Sequence, residues 1–308
     1  MARQPGRGGG TAAALALAAA TLSVASPMVL IFVPLALLLM ALPPRRPGLV
    51  VAGALGAVLV FRRVPVDPLG AAELGWVFVL GGWFVLLAAL RPGATFLGKA
   101  LAALAGAVAT AAVVLAARPG AWAVLDWSVA RHFRDVAAML ASVWGAAAES
   151  ESFAARVVDG FYRTADLQAM LYPALLALAS LAGLGVAWWA HRRLSGVQSR
   201  VFAPFREFRF HDELVWLLIA GILLVVLPLG GAAPRAGSNL VAFMGTLYAL
   251  RGAAVLLAVT GAPGAATVAL GLLALLILPM VMLGTAMVGL ADTWIDLRAR
   301  RTAAGSGS

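Results

Sequence analysis

Long apolar runs, separated by short loops rich in arginine, are the feature that most limits what this chain can fold into. Of its 308 residues 63% are hydrophobic and 12% are charged, whereas a soluble domain is about 45–50% apolar and about 25% charged. An apolar run of about 18 residues or more is long enough to cross the hydrocarbon core of a bilayer as a helix. The sequence therefore predicts an all-α, polytopic membrane protein with about eight or nine transmembrane segments. The apolar segments are 12–25, 28–42, 48–61, 70–90, 96–117, 167–190, 214–229, 238–260 and 265–291.

Polar stretches divide the chain into five parts. Residues 1–10 are predicted to be a disordered basic tail, and residues 11–117 to be N-terminal membrane helices. An amphipathic helical loop is predicted over 118–166. C-terminal membrane helices follow over 167–297, and residues 298–308 form a basic polar tail.

The loop at 118–166 has the periodicity of an amphipathic helical hairpin. Apolar residues recur at three- and four-residue steps from Trp122 to Val143, and a weaker pattern runs from Phe153 to Phe161. This spacing places the apolar side chains on one helix face. Two interpretations are open: a lid or partner-docking hairpin, or a hairpin that lies in the membrane interface.

Charge predicts the orientation of the segments. The net charge is +10, and all the basic residues except Lys99 are arginines. The hairpin loop has no basic excess, whereas the loop 191–212 is the most basic, so the positive-inside rule places these loops on opposite sides. The alternation fails after the sixth segment: either the C-terminus lies outside, or one of the last three runs does not cross.

The same charge pattern bears on location and partners. Arginines beside apolar spans are typical of a multi-pass protein of the bacterial inner (plasma) membrane that contacts anionic lipids. No basic stripe is interleaved with stacking aromatics, so nucleic acid is not an expected partner.

Catalytic motifs are missing from the sequence. There is no cysteine, and no two of the three histidines lie at the H-x-x-x-H spacing, which argues against a zinc site. There is no phosphate-binding loop and no nucleophile elbow. We therefore expect no metal, no cofactor and no catalytic residues, and an intramembrane enzyme is the third and least favoured of the function classes that the sequence leaves open.

Arg251 is the charge that most needs an explanation. It lies near the middle of the apolar run 238–260, where insertion of an arginine costs about 2.5–3.5 kcal/mol. Met244, Leu247 and Tyr248 share its helical face. Such a site could bind an anionic or aromatic ligand, or Arg251 could form a structural ion pair with Asp292 or Glu73.

The last apolar run ends in a charged motif. Asp292 and Asp296 lie one turn apart on one helix face, where two carboxylates repel unless a cation is near. Arg300, four residues after Asp296, can offset that charge. Asp292 has no such neighbour, so a partner from another helix is expected.

Residues 289–298 carry a family resemblance. The pattern Gly289-Leu290, Asp292, Trp294, Asp296 and Arg298, preceded by a span with Tyr248 and Gly252, resembles the YybS-like family of bacterial integral membrane proteins. The likeness covers the chain from about Phe205 onward, and the earlier spans match in hydropathy alone. Arg251 stands where that family usually has a glutamine.

The resemblance implies a distant relation to the substrate-binding S components of energy-coupling-factor vitamin transporters. Those components dock a partner membrane subunit through small residues four apart in their first helix, for which Ala12, Ala16 and Ala20 would serve. The expected function is therefore small-solute binding or transport, with Arg251, Tyr248, Asp292, Asp296 and Glu73 as candidate site residues. The alternative is a non-catalytic membrane scaffold that recruits cell-envelope or division partners.

Overall fold

The computed structural model describes residues 27–42, 53, 67–146, 151–196, 207–260 and 278–295. Within these ranges the regular elements are all helical, which confirms the predicted all-α class. The chain divides into two compact units. We call Leu22–Gln198 the N-terminal unit, and Ser199–Ser308 together with Met1–Thr21 the C-terminal unit.

Five helices form the described part of the N-terminal unit. They are α1 (Pro27–Ala41), α2 (Pro68–Leu90), α3 (Phe96–Ala116), α4 (Ala121–Ala146) and α5 (Glu151–Leu194).

Local sequence explains where two of these helices begin. The Asp67 carboxylate accepts a hydrogen bond from the Gly70 amide at 2.9 Å, and the Thr95 hydroxyl accepts one from the Gly98 amide at 3.2 Å. Both residues are helix N-caps that satisfy an amide left free by the first turn. Pro68 follows the first cap, at a position where its missing N–H costs nothing.

Apolar packing joins α1, α2 and α5. Val29, Leu30 and Val33 of α1 are buried against Val77 of α2 and Ala179 of α5. Helix α3 packs on α2 and α5, and α4 packs along α5. A second cluster, which includes Leu69, Val129, Phe133, Ala165 and Tyr172, holds α4 against the N-terminal half of α5 and the start of α2.

Helix α5 is longer than the sequence pattern indicated. The weak amphipathic helix around 153–161 and the apolar segment 167–190 are one continuous helix of 44 residues, about 66 Å long at 1.5 Å per residue. Only Gly160 interrupts the junction, and a single glycine weakens a helix by about 1 kcal/mol without ending it. Pro173, in the apolar segment, also lies inside the helix, where it removes one backbone donor without ending the helix.

The described part of the C-terminal unit consists of a short 3₁₀ turn (Asp212–Leu214) followed by α6 (Val215–Val226), α7 (Ala233–Thr260) and α8 (Leu278–Ile295). Helix α7 lies between the other two and packs on both. It begins at Ala233, five residues before the predicted apolar run. Helix α6 has 12 residues, about 18 Å of rise against a hydrocarbon core of about 30 Å.

Four described helices are long and apolar enough to cross a membrane: Pro68–Leu90, Phe96–Ala116, Val158–Leu194 and Ala233–Ala258. Met28–Ala41 forms a shorter apolar helix. The predicted segments 12–25 and 48–61 lie outside the described residues, apart from Gly53. The count of eight or nine crossings stays a prediction.

Candidate functional site

The candidate site lies where α7 and α8 pack with their backbones in close approach. A methyl group on Gly252 would collide with the carbonyl oxygen of Thr285, and one on Gly289 would collide with that of Tyr248. Since 248 pairs with 289 and 252 with 285, the two helices run antiparallel here. Glycines at such crossings let helices approach closely enough for polar side chains beside them to meet.

Arg251 lies beside this crossing and contacts two carboxylates. Its Nε donates a hydrogen bond to Asp292 Oδ2 at 3.0 Å, and its Nη1 donates one to Asp212 Oδ1 at 2.6 Å. The side chains of Arg251 and Asp292 are 0% exposed, whereas that of Asp212 is 49% exposed. The buried guanidinium is therefore shared between a buried acid and one that reaches the surface of the unit.

Aromatic side chains cover the guanidinium. The Cζ atom of Arg251 is 5.4 Å from the centre of the Phe210 ring, which is close enough for a cation–π interaction. The rings of Phe210 and Tyr248 meet edge to face at 5.1 Å. Met244, Leu247 and Tyr248 are buried on the same face of α7 as Arg251, as the helical spacing predicted.

Three buried polar atoms at this site have no hydrogen-bond partner among the described residues: Arg251 Nη2, Asp292 Oδ1 and the Tyr248 hydroxyl. The Thr293 side chain is the polar group beside the Tyr248 hydroxyl, but the two do not form a well-aligned hydrogen bond. A buried donor or acceptor without a partner costs about 1–3 kcal/mol. Because buried polar groups are nearly always satisfied by protein or by ordered water, these three atoms mark the place where a small polar species, water included, would be bound.

The structure brings Arg251, Tyr248 and Asp292 together. Glu73 belongs to the N-terminal unit, where it accepts a hydrogen bond from the Tyr172 hydroxyl at 2.8 Å. Asp296 lies outside the described residues.

Sequence reasoning missed Asp212 and Phe210. Both lie at the end of the most basic loop, 191–212, where Asp212 contributed only to the charge balance of the loop. Its position immediately before an apolar run was the available signal, because a carboxylate there can reach an arginine on the neighbouring helix. Among the described residues no cluster of histidine and acidic side chains could hold a metal ion.

The apolar helices and the buried ion pair between two of them define a helical membrane protein. The chain belongs to the family of predicted membrane proteins DUF2232, whose model matches residues 11–293. The match covers nearly the whole sequence, whereas the resemblance drawn from the residues began at about Phe205. No curated protein and no solved structure matches the chain.

Proposed function

We propose that this membrane protein binds a small solute bearing an amine at the Arg251 site and transports it across the membrane. One observation carries the proposal. A single guanidinium contacts two carboxylates, so one negative charge is in excess among the described residues that meet here, and within the same residues the buried oxygen Asp292 Oδ1 has no hydrogen-bond partner. Ionisable groups at membrane depth commonly mark the path of a solute or a proton.

The charge balance favours a cationic solute over the anionic one that an isolated arginine suggests. The two acids more than offset the charge of Arg251, and an added anion would face two carboxylates in a medium of low dielectric constant. An ammonium group carries three donors. Asp292 Oδ1 and the Tyr248 hydroxyl are two acceptors that it could use.

The route to the site would pass Asp212 and Phe210. Residues 208–211 have no regular secondary structure, and they precede the 3₁₀ turn that carries Asp212. Phe210 is buried over Arg251, whereas Asp212 is half-exposed. A movement of this segment would break one ion pair and expose the other.

A ligand screen on the purified full-length chain tests the proposal. The probes are putrescine, spermidine and lysine, with glutamate and succinate as anionic counterparts, and the readout is the shift in thermal unfolding temperature. We expect amines to stabilise the wild type. In Asp212→Asn the apparent affinity should fall about tenfold or more, because a charged hydrogen bond contributes about 1.5–3 kcal/mol.

Glu213→Gln is the matched control, since it removes an exposed carboxylate from the adjacent position. It should respond to amines as the wild type does. Stabilisation by the acids alone, or an unchanged amine response in Asp212→Asn, would contradict the proposal. Uptake of a stabilising amine into proteoliposomes then distinguishes transport from binding.

The alternative, a membrane scaffold, would use the hairpin of α4 and the first half of α5. Helix α4 exposes Trp122, Trp127 and Met139, side chains that suit either a protein partner or the membrane interface. A scaffold function would depend on this hairpin and would not require the binding of a solute. Loss of partner binding in Trp127→Ser, with no amine response in the wild type, would favour this alternative.

The transport hypothesis also predicted that Ala12, Ala16 and Ala20 dock a partner membrane subunit. These three residues lie outside the described residues.

A further inference from the structure

Helix α5 is too long to lie within a bilayer. Its 44 residues extend over about 66 Å, whereas the hydrocarbon core is about 30 Å thick. Membrane helices tilt by up to about 40°, and at that tilt α5 would still cover about 50 Å along the membrane normal. About 20 Å or more of the helix therefore lies outside the hydrocarbon core.

Charged residues show which part of α5 lies outside. Its last turn is basic and includes Arg192 and Arg193, and long basic side chains at a helix end reach the membrane surface. Residues 167–190 contain no Asp, Glu, Lys or Arg and extend over about 36 Å, which is enough to cross the core at a moderate tilt. Asp159 and Asp166, which precede them, take part in exposed ion pairs. The part of α5 before residue 167 therefore lies outside the core.

Helix α4 runs antiparallel to this outer part, so its two halves lie at different depths. The Phe133 and Tyr172 rings meet at 6.1 Å, and Arg134 pairs with Asp166 at 3.0 Å. These contacts place the middle of α4 near the level at which α5 leaves the membrane. Because only four residues separate the end of α4 from the start of α5, residues after Arg134 extend away from the membrane. Residues before Phe133 extend toward it.

The apolar face of α4 is covered by protein. Phe133 and Ala137 are buried against Ala165 and Tyr172 of α5. A helix that lies in the membrane interface buries its apolar face in lipid instead. To lie flat, the hairpin would also have to turn through a right angle where α5 enters the membrane, and the helix continues through Pro173 at this point. The hairpin therefore extends out of the membrane along α5.

The exposed side chains on the membrane side of α4 are those of a lipid contact. Trp122, Val124 and Trp127 are 49%, 53% and 59% exposed. Along the axis, Trp127 and Trp122 lie about 9 Å and about 17 Å from Phe133, toward the basic end of α5. The Arg131 Cζ atom is 5.2 Å from the centre of the Trp127 ring. Tryptophan is enriched at membrane interfaces, and an arginine beside it can extend its charge to the headgroups.

We propose that the first half of α4 is a lipid-binding surface, on which Trp122 and Trp127 insert into the leaflet opposite the basic end of α5. The partner is the bilayer itself. Its headgroup layer accommodates the polar edges of the indoles and the Arg131 guanidinium, and its upper acyl chains contact the ring faces. The rest of α4 and residues 151–165 of α5 stand in water beyond this layer. The inference rests on the N-terminal unit alone and is independent of the amine site.

Site-directed spin labelling tests the proposal, because the chain contains no cysteine and a single introduced cysteine is labelled without background. Val124→Cys and Met139→Cys are exposed positions about four turns apart on the same side of α4. The full-length chain is reconstituted into vesicles of phosphatidylethanolamine and phosphatidylglycerol. The measurement is the ratio of two accessibilities of the label, to oxygen, which concentrates in lipid, and to a water-soluble nickel complex.

The label at position 124 should favour oxygen, as should a reference label at Val108→Cys, an exposed position in the middle of α3. The label at position 139 should favour the nickel complex, as a label in water does. Equal lipid accessibility at 124 and 139 would mean that the hairpin lies flat, and the accessibility of bulk water at both would mean that α4 does not contact lipid. Either result overturns the proposal. If a label prevents folding, Ala123→Cys and Ala138→Cys are exposed and have the same spacing.

Trp127→Ser tests the anchoring side chain. Added to Val124→Cys, it should shift the accessibility ratio of the label toward that of water, because the indole no longer holds this end of α4 in lipid. Tyr162→Ser is the matched control, since it removes an exposed aromatic side chain from the outer part of α5. It should leave the ratio unchanged. Equal shifts in the two variants, or no shift in Trp127→Ser, would refute the anchoring role of Trp127.

Discussion

Removing Asp292 while keeping Arg251 should be among the most damaging single changes to the C-terminal unit. Asp292→Leu leaves a guanidinium that is 0% exposed and that cannot lose its proton. Breaking a buried pair by deleting one partner costs about 3–5 kcal/mol. Because Asp212 still contacts Arg251 at 2.6 Å, we expect a loss near the lower end of that range.

The reverse change and the double change complete a thermodynamic cycle. Arg251→Met leaves Asp292 buried without its cation, and we expect a similar loss of about 3–5 kcal/mol. The two single losses add to about 6–10 kcal/mol. The double variant Arg251→Met/Asp292→Leu should instead lie within about 2 kcal/mol of the wild type, since apolar groups of similar volume often replace a buried pair at little cost.

The assay is equilibrium unfolding in mixed micelles, with sodium dodecyl sulfate as the denaturant. Asp212→Asn is the comparison variant: it keeps the buried partner Asp292 beside Arg251, so its loss of stability should be smaller than that of Asp292→Leu. A double variant as unstable as the sum of the single variants would refute the reasoning, since it would mean that the two side chains do not interact in the folded protein.

Three further predictions concern packing and hydrogen bonds. Gly252→Ala should destabilise the protein by at least about 2 kcal/mol, because its methyl group meets the α8 backbone. Gly245→Ala, which has open space on the same helix, should be neutral or stabilising by up to about 1 kcal/mol. Equal effects of the two variants in thermal melts would contradict the close packing of α7 on α8 at Gly252. Tyr172→Phe should lower the free energy of unfolding by about 1–3 kcal/mol, because it removes the donor to the part-buried Glu73 carboxylate. Tyr162→Phe, at an exposed site, should change it by no more than about 0.5 kcal/mol. Equal unfolding free energies of the two variants would count against the hydrogen bond between Tyr172 and Glu73. Arg134→Ala should change stability by less than about 1 kcal/mol, since its ion pair is exposed, and a larger loss would show that the hairpin depends on this pair.

Periodicity and hydropathy predicted the helical class and most of the described helix positions, because both depend on local sequence. The pattern from Trp122 to Val143 corresponds to α4, and the run 96–117 corresponds to α3. The length of α5 was underestimated, since a change from amphipathic to apolar character resembles a boundary between two helices. The helix continues through Gly160 at this junction and through Pro173 beyond it.

The candidate site was predictable only in part. The cost of an unpaired arginine in an apolar run singled out Arg251, and Asp292 followed because it lacked a local partner. The choice between Asp292 and Glu73 required knowledge of which helices pack together. Asp212 was missed for the same reason: it meets Arg251 through the packing of α6 on α7, which no local pattern records.

The role of the Asp292 carboxylate as an acceptor for the amine can be tested apart from stability by titrating spermidine against Arg251→Met/Asp292→Leu, which leaves the net charge of the site unchanged, and following the unfolding temperature. The account predicts that this double variant folds with nearly wild-type stability and loses the amine response, while Gly245→Ala keeps it. An amine response in the double variant equal to that of the wild type would contradict the account, because the ion pair would then be structural and the solute site would lie elsewhere.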